Sequence, residues 1–333
     1  MHNIQPPYLH FLGDAPDMLA AKTSIGVHFW RPQYSVGQIR LDGCNADLGI
    51  TDTTIGEAAD AGAKTLVIGV ANRGGSISTT WFPTLIQAME SGMDIASGLH
   101  QRLDDNPEIL QSSQAHGCKL INVRQPPASL DVATGKRRSG KRLLAVGTDC
   151  STGKMYTTLA IHSALVKANI NATYRATGQT GIFIAGSGMP VDAVGADFIS
   201  GSVEMLCPTN NEDHWDIIEG QGSLFHPSFA GVSLGLLHGA QADALVLCHE
   251  PTRTHMRGLS HYPLPDIGAC IELNENLAKL TNPQVKTVAI SVNTSNMEKD
   301  NARAYLAGLE TKYGLPAIDP VVDGVDRILE NIL

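Results

Sequence analysis

The sequence predicts two consecutive α/β domains with parallel sheets, a Rossmann-like domain followed by a P-loop NTPase-like domain. Short apolar segments alternate with helical patterns along the chain, which is typical of βαβ units. A polar stretch separates the two halves: Gln125-Pro-Pro is followed by Ala133–Gly140, which is rich in glycine and basic residues, and the linker is placed at residues 131–140. A glycine-rich loop lies between an apolar strand and a helical pattern at the start of the second half. We therefore expect domains at residues 1–130 and 141–333, joined by a linker.

Length and composition limit the function classes. The chain has 333 residues, 43% hydrophobic and 17% charged, as in ordinary globular proteins. A net charge of −9 argues against nucleic-acid binding. Because no apolar run approaches the roughly 20 residues that span a bilayer, and because Met1–Tyr8 is polar, we expect no membrane contact and no secretory signal. The six cysteines form no C-x-x-C pair, which favours a cytoplasmic location with reduced thiols.

The first domain is predicted from two strands and three helices. The strands are Lys64–Val70 and Lys119–Val123, and the helices are Thr54–Ala63, Thr79–Ser91 and Pro107–Gly117. The basic cluster Lys136–Arg138 is interpreted as a solvated part of the linker.

The second domain is predicted to open with strand Arg142–Gly147, the glycine loop and helix Tyr156–Ala168. Its further strands are Ala172–Thr177, Asp216–Glu219, Ala244–Cys248 and Lys286–Val292, and its further helices are Pro227–His238, Asn274–Leu280 and Asn301–Tyr313.

The glycine loop, Gly147-Thr-Asp-Cys-Ser-Thr-Gly-Lys154, is the strongest functional signal. Between a strand and a helix, such a loop wraps an anion: backbone N–H groups and the helix N-terminus face the anion, and the lysine adds a positive charge. Compared with the pattern G-x-x-x-x-G-K-[ST], the loop has one extra residue, and Met155 stands in the Ser/Thr position.

The loop resembles that of dethiobiotin synthetases and related P-loop proteins. Three further segments match that group in chain order: Tyr174–Gly178, Ile218–Gly222 and Ser291–Thr294. The resemblance implies a substrate-side strand for the first, a magnesium-binding glutamate for the second and a base-reading asparagine, Asn293, for the third.

Met155 departs from that group, whose Ser or Thr after the lysine binds magnesium. A thioether is a soft ligand that does not suit magnesium. Thr157 or Thr158 could supply the missing hydroxyl. An ATP- and magnesium-dependent kinase or ligase is therefore the alternative function, and a non-catalytic nucleotide-binding regulator is a third.

Four segments of the first half are also distinctive: Trp30-Arg-Pro, Asp47-Leu-Gly, Leu66–Gly75 and Asp94–His100. Together with the glycine loop, they make nearly the whole chain resemble a second family, long described as a P-loop domain of unknown function and associated with D-glutamate N-acetyltransferase activity. It implies acetyl-CoA as the acetyl donor and an acidic amino acid, D-glutamate, as the small-molecule acceptor. A loop without a magnesium ligand could still hold the coenzyme phosphates, so we expect no metal. The predicted coenzyme-binding residues are Gly147, Thr148, Asp149, Cys150, Ser151, Thr152, Gly153, Lys154 and Asn293.

Acyl transfer to an amine needs a base and a means of positioning the acceptor. Glu219 and His226 are the predicted bases, because they lie in and just beyond a glycine-rich turn after a strand; His255 and His261 are weaker candidates. Gly220 and Gly222 would let the backbone approach a ligand closely. Arginines bind carboxylates through a bidentate fork. The predicted acceptor-binding residues are Arg73, Arg175, Gln221, Arg253 and Arg257. We also expect a homo-oligomer.

Overall fold

The computed structural model describes residues 4–72 and 74–333. Its strands are β1 (Tyr8–Gly13), β2 (Ser35–Arg40), β3 (Thr65–Ile68), β4 (Asp94–Ser97), β5 (Leu120–Asn122), β6 (Lys141–Gly147), β7 (Ala172–Arg175), β8 (Trp215–Ile218), β9 (Ala244–His249), β10 (Lys286–Val292) and β11 (Ala317–Ile318). Its helices are α1 (Lys22–Trp30), α2 (Ile55–Asp60), α3 (Phe82–Glu90), α4 (Pro107–His116), α5 (Lys154–Lys167), α6 (Gln179–Ala185), α7 (Ile199–Leu206), α8 (Ala230–Ala240), α9 (Ile267–Ala278), α10 (Lys299–Tyr313) and α11 (Asp326–Ile332). None of the helices in these ranges is both long and apolar enough to cross a membrane.

The contacts divide the chain into two compact units. The N-terminal unit contains the chain up to Pro127 together with Gly178–Ala193, and the C-terminal unit contains Ala128–Thr177 and Val194–Leu333. Residues 178–193 thus belong to the N-terminal unit, whereas the predicted division assigns them to the second domain. Helix α6 in this segment packs against α1, and its Ile182 and Phe183 are fully buried.

The N-terminal unit is built on a five-stranded parallel sheet in the order β2-β1-β3-β4-β5. Its main core includes Phe11, whose ring lies edge-on to Trp81 at a centroid distance of 5.5 Å. The parallel order confirms the Rossmann-like prediction, although strands β1, β2 and β4 were not foreseen.

Strand β1 lies between β2 and β3 and is buried along its whole length. It carries a polar side chain at its centre, His10, which is 0% exposed. The ring nitrogens of His10 lie 2.8 Å from the hydroxyls of Ser24 and Ser35, so both are satisfied. Burial lowers the pKa of His10 to about 3, so this imidazole is neutral in the folded protein.

The C-terminal unit contains a six-stranded parallel sheet in the order β11-β10-β9-β6-β8-β7. Strand β6 pairs with β9 on one side and with β8 on the other. The strand order therefore reverses at β6, and ligands of such sheets bind beyond the carboxyl end of the strand at this reversal. The glycine loop begins at that point, and the P-loop-type prediction is confirmed.

The predicted linker is fastened to the C-terminal unit. The Glu204 carboxylate accepts hydrogen bonds from the backbone N–H groups of Thr134 and Gly135 at 2.8 and 2.9 Å. Arg138 is only 9% exposed, and its guanidinium donates to carbonyl oxygens at the C-terminal ends of α7 and α8. The interpretation of this cluster as solvated was wrong at Arg138, because helix C-termini present unsatisfied carbonyls that attract a buried cation.

Replacing Arg138 with Ala should lower the free energy of unfolding by about 2–4 kcal/mol, since several buried carbonyls lose their donor. Arg137→Ala is the matched control, because it removes a half-exposed ion pair with Asp243 and should cost less than about 1 kcal/mol. Urea titration of both variants measures the difference. Equal losses would contradict the assigned role of Arg138.

Candidate functional site

The glycine loop connects β6 to α5 through backbone conformations that few residues adopt. Ser151 and Gly153 have φ angles of +52° and +97°. Gly147 is also constrained, because a Cβ there would lie 2.8 Å from Lys154 Nζ and 2.9 Å from the Asp149 carbonyl oxygen. The loop therefore closes tightly in front of the N-terminus of α5, whose first N–H groups have no partner within the helix. This arrangement is a cradle for an anion.

Lys154 lies inside this cradle and is only 6% exposed. Its ammonium donates to the carbonyl oxygen of Asp149 at 2.8 Å and to Thr152 Oγ1 at 3.4 Å. Burial lowers the pKa of Lys154 because the charged form loses its hydration. An anion bound in the loop would restore a favourable partner for that charge.

The side chain of Asp149 is fully buried beneath the loop. Its Oδ1 accepts from the N–H of Cys150 at 2.6 Å. Its Oδ2 accepts from Arg253 Nη1 at 2.8 Å and from the backbone N–H of Arg257 at 2.9 Å. Asp149 thus joins the glycine loop to the segment that follows β9.

Arg253 completes this connection from the other side. Its guanidinium also donates to the carbonyl oxygens of Cys150 at 2.6 Å and Ser151 at 2.7 Å, and its Nε lies 2.9 Å from Glu250 Oε2. With the bond to Asp149, the guanidinium makes three hydrogen bonds and two ion pairs. Arg253 therefore shapes the cradle itself, and its predicted role in binding the acceptor stays a prediction.

A second connection, missed by sequence reasoning, is made by His249 at the end of β9. Its Nδ1 lies 2.9 Å from the hydroxyl of Thr148, and burial lowers its pKa to about 4. The histidine is neutral near pH 7 and can share a hydrogen bond with the loop. The only sequence signal was its position directly after an apolar strand.

The Glu219 turn lies on the opposite side of β6. Glu219 is 4% exposed, and its Oε2 accepts from the N–H of Thr177 at 2.9 Å. The Thr177 hydroxyl donates to the carbonyl oxygen of Glu219 at 2.7 Å and lies 3.1 Å from Gln221 Nε2, which donates to it. These bonds fix the carboxylate at the carboxyl end of β8.

Gly220 has a role in packing that the sequence did not indicate. A Cβ at this position would lie 1.7 Å from the Ala145 carbonyl oxygen and 2.9 Å from Lys154 Cδ. The missing side chain therefore lets the turn pack against β6 and the stem of Lys154, and this packing brings the Glu219 turn to the edge of the cradle.

His226 also borders the cradle and is 2% exposed. Its Nδ1 accepts from the N–H of Ser228 at 3.2 Å, which leaves the proton on Nε2 to donate to the Arg257 carbonyl oxygen at 3.1 Å. A ring nitrogen of His226, the Cys150 sulfur and an Asp149 oxygen all lie within 4.8 Å of one another. Such a mixed donor set would suit zinc better than magnesium, but both Asp149 oxygens already accept hydrogen bonds.

The hydroxyls proposed to replace the missing magnesium ligand are directed elsewhere. Thr157 Oγ1 donates to the Gly153 carbonyl oxygen at 3.0 Å and lies 2.8 Å from Ser291 Oγ. Thr158 Oγ1 donates to the Lys154 carbonyl oxygen at 2.9 Å. Both are therefore bonded within or beneath α5 and not at the mouth of the loop.

The remaining predicted residues lie apart from the cradle or are engaged otherwise. Arg175 Nε donates at 2.7 Å to Asp216, whose carboxylate is 2% exposed, so this arginine stabilises a buried acid. The side-chain oxygen of Asn293, beyond β10, accepts from the N–H of Ser295 at 3.1 Å. Arg257 places its backbone beside Asp149 and keeps its side chain exposed. Arg73 lies outside the described residues, and His255 and His261 are exposed.

The fold and site define a class: a P-loop-type α/β protein whose loop has Met155 in the usual Ser/Thr position, with a buried carboxylate and an imidazole at the edge of the loop. Family models agree over most of the chain. The P-loop domain of DUF1611, a domain of unknown function, matches residues 131–329, and its Rossmann-like N-terminal domain matches residues 39–126. The chain belongs to the DUF1611 family.

Individual relatives extend this similarity to the full length. A protein of Tritonibacter scottomollicae named D-glutamate N-acetyltransferase is 55% identical over 329 residues, covering 99% of each chain. A protein of the same name from a Pseudoalteromonas species is 51% identical over 329 residues, again covering 99% of each chain. The crystal structure of a DUF1611 family protein from Anabaena variabilis has 31% identity and a TM-score of 0.86, covering 98% of this chain and 99% of that one. The family resemblance expected from sequence motifs is confirmed.

Replacing Gly220 with Ala should lower the free energy of unfolding by about 2–4 kcal/mol, since the new methyl group collides with backbone. Gly231→Ala is the control, because nothing lies within 4 Å of a Cβ at that position in α8, and it should be neutral or stabilising by up to about 1 kcal/mol. Thermal unfolding of both variants tests this. A Gly220→Ala protein as stable as the parent would refute the close packing.

His249 should make folding stability depend on pH. Its pKa of about 4 in the folded protein lies below the unfolded value of about 6.5, so the unfolded chain binds the proton more readily between these values. The contribution is complete above about pH 6.5, falls progressively as the pH drops from 6.5 towards 4 with a limiting slope of about 1.4 kcal/mol per pH unit, and is lost once the pH has passed through 4. The stability difference between the parent and His249→Gln, measured by urea titration from pH 7.5 to 4.5, should follow this course. A pH-independent difference would argue against a buried neutral His249.

Proposed function

We propose that this chain is a D-glutamate N-acetyltransferase that takes its acetyl group from acetyl-CoA. The observation that carries the proposal is the identity of 55% and 51%, over 99% of each chain, to two proteins of that name. The site supports it, because an anion cradle lies beside a buried carboxylate and an imidazole. Both substrates are anions, acetyl-CoA through its phosphates and D-glutamate through its carboxylates.

The reaction requires loss of a proton from the acceptor ammonium before the amine nitrogen can attack the thioester carbonyl carbon. A C–N bond then forms, the C–S bond breaks, and CoA leaves as a thiolate that takes up a proton. A buried carboxylate at the edge of the cradle would attract the ammonium and accept its proton. The buried position of Glu219 at the carboxyl end of β8 supports its assignment to this role.

Glu219 suits the base role better than His226. A carboxylate presents about four acceptor positions, enough to hold the Thr177 bond and an ammonium together. The one acceptor nitrogen of neutral His226 already receives the N–H of Ser228, so proton transfer to it would break that contact. His226 serves instead to hold the Arg257 backbone, and with it the segment bonded to Asp149.

The function is tested by release of CoA thiol from acetyl-CoA in the presence of D-glutamate, L-glutamate, D-aspartate or L-aspartate. We expect release with D-glutamate and at most weak release with the others. Activity should also survive a strong chelator, because Lys154 and backbone N–H groups supply the positive environment. Absence of release with all four amino acids would overturn the proposal. Loss of activity with chelator, restored by magnesium, would favour an ATP-dependent kinase or ligase.

Replacing Glu219 with Gln should lower kcat by on the order of 100-fold, since the amide cannot accept the ammonium proton. The fold should persist because an amide oxygen can still accept from Thr177. Glu212→Gln, at an exposed position, is the matched control and should keep parental turnover. Steady-state thiol release and thermal unfolding provide the two readouts. Parental kcat in Glu219→Gln would transfer the base role to His226.

A further inference from the structure

We infer that the cradle formed by Gly147–Lys154 binds a carboxylate of the amino-acid acceptor and not the phosphates of acetyl-CoA. The inference rests on the proposed function and assigns one of its two substrates to this site. It departs from the usual use of such loops, and three features of the described residues lead to it.

The first feature is the closeness of both candidate bases to the cradle. A ring nitrogen of His226 lies within 4.8 Å of the Cys150 sulfur and an Asp149 oxygen, both in the loop itself. The turn that carries Glu219 packs so tightly against the Lys154 stem that a methyl group at Gly220 would lie 2.9 Å from Lys154 Cδ. Both residues therefore border the cradle, and an ammonium that gives its proton to Glu219 would belong to a group bound at this edge, since a base acts within about 3 Å.

The second feature is the length of the coenzyme. About twelve bonds separate the pyrophosphate oxygen of CoA from its sulfur, comparable to four residues of extended chain or roughly 14 Å. Phosphates in the cradle would therefore place an extended thioester far from both bases. In an amino acid the amine and the α-carboxylate share one carbon atom, so a carboxylate in the cradle brings the ammonium to the same edge.

The third feature is the charge around the loop. Arg253 already pairs with the buried carboxylates of Asp149 and Glu250, Lys154 donates to the backbone carbonyl oxygen of Asp149, and Glu219 adds a further buried carboxylate. A pyrophosphate with two negative charges would meet these acids at close range. A carboxylate with one charge, accompanied by an ammonium beside Glu219, matches the arrangement better. The exposed side chain of Arg257, on the segment bonded to Asp149, can meet the second carboxylate of a dicarboxylic acceptor.

Amide hydrogen exchange of the unmodified protein tests the assignment directly. D-Glutamate at saturating concentration should slow exchange in peptides covering residues 148–154, whereas CoA should slow exchange elsewhere and leave these peptides nearly unchanged. Protection of this loop by CoA that equals or exceeds its protection by D-glutamate overturns the inference. Failure of the protein to release thiol from acetyl-CoA with D-glutamate would instead overturn the proposed function.

Kinetics of Lys154→Ala provide an independent measurement. The KM for D-glutamate should rise tenfold or more while the KM for acetyl-CoA stays within about twofold, because one charge-assisted bond to the acceptor is lost. Lys167→Ala, at the exposed end of the same helix, should change neither KM. A rise confined to acetyl-CoA, or larger for it, overturns the inference. If Lys154→Ala does not fold, the exchange experiment decides alone.

Discussion

The buried ion pair between Asp149 and Arg253 is the interaction on which the site depends. Strands β6 and β9 are neighbours in a parallel sheet, so the segments that follow them emerge side by side at one edge. The ion pair turns this adjacency into a fixed shape, because Asp149 is fully buried and Arg253 also holds the carbonyl oxygens of the loop. Removing one partner would leave an uncompensated buried charge, which typically costs 3–5 kcal/mol. The bond between Thr148 and His249 reinforces the same connection.

On the other side of β6, hydrogen bonds to neutral groups fix the Glu219 turn, as the ion pair fixes the glycine loop. The backbone and hydroxyl of Thr177 hold Glu219 at its carboxylate and at its carbonyl oxygen. The two sides of the crevice are thus fixed before any substrate arrives. Preorganised polar groups need little rearrangement during reaction, and this is the main source of electrostatic catalysis. The fold itself therefore sets the position of the Glu219 carboxylate relative to the cradle.

Features that are local in sequence could be predicted, and features that depend on distant partners could not. The glycine loop and the Glu219 turn follow from strand, glycine and helix signals within about ten residues. Strand β1 was missed because His10 interrupts its apolar run, and only Ser24 and Ser35 make that histidine acceptable in a core. The role of Arg138 was misjudged, and the structural role of Arg253 was not predicted, for a related reason: an arginine in a loop is expected to be solvated or to face a substrate unless its carbonyl partners are known.

A loop of backbone donors determines that an anion binds but not which anion, since N–H groups accept phosphate and carboxylate alike. The selection must come from the groups behind the loop. In magnesium-dependent P-loop proteins a hydroxyl and a metal ion balance the phosphate charge; here Met155 occupies the hydroxyl position, and the hydroxyls of Thr157 and Thr158 bond to α5. Buried Asp149 further lowers the positive potential of the cradle. The missing metal ligand and the buried acid act in the same direction, since both reduce the negative charge that the loop can accommodate and favour a monoanion.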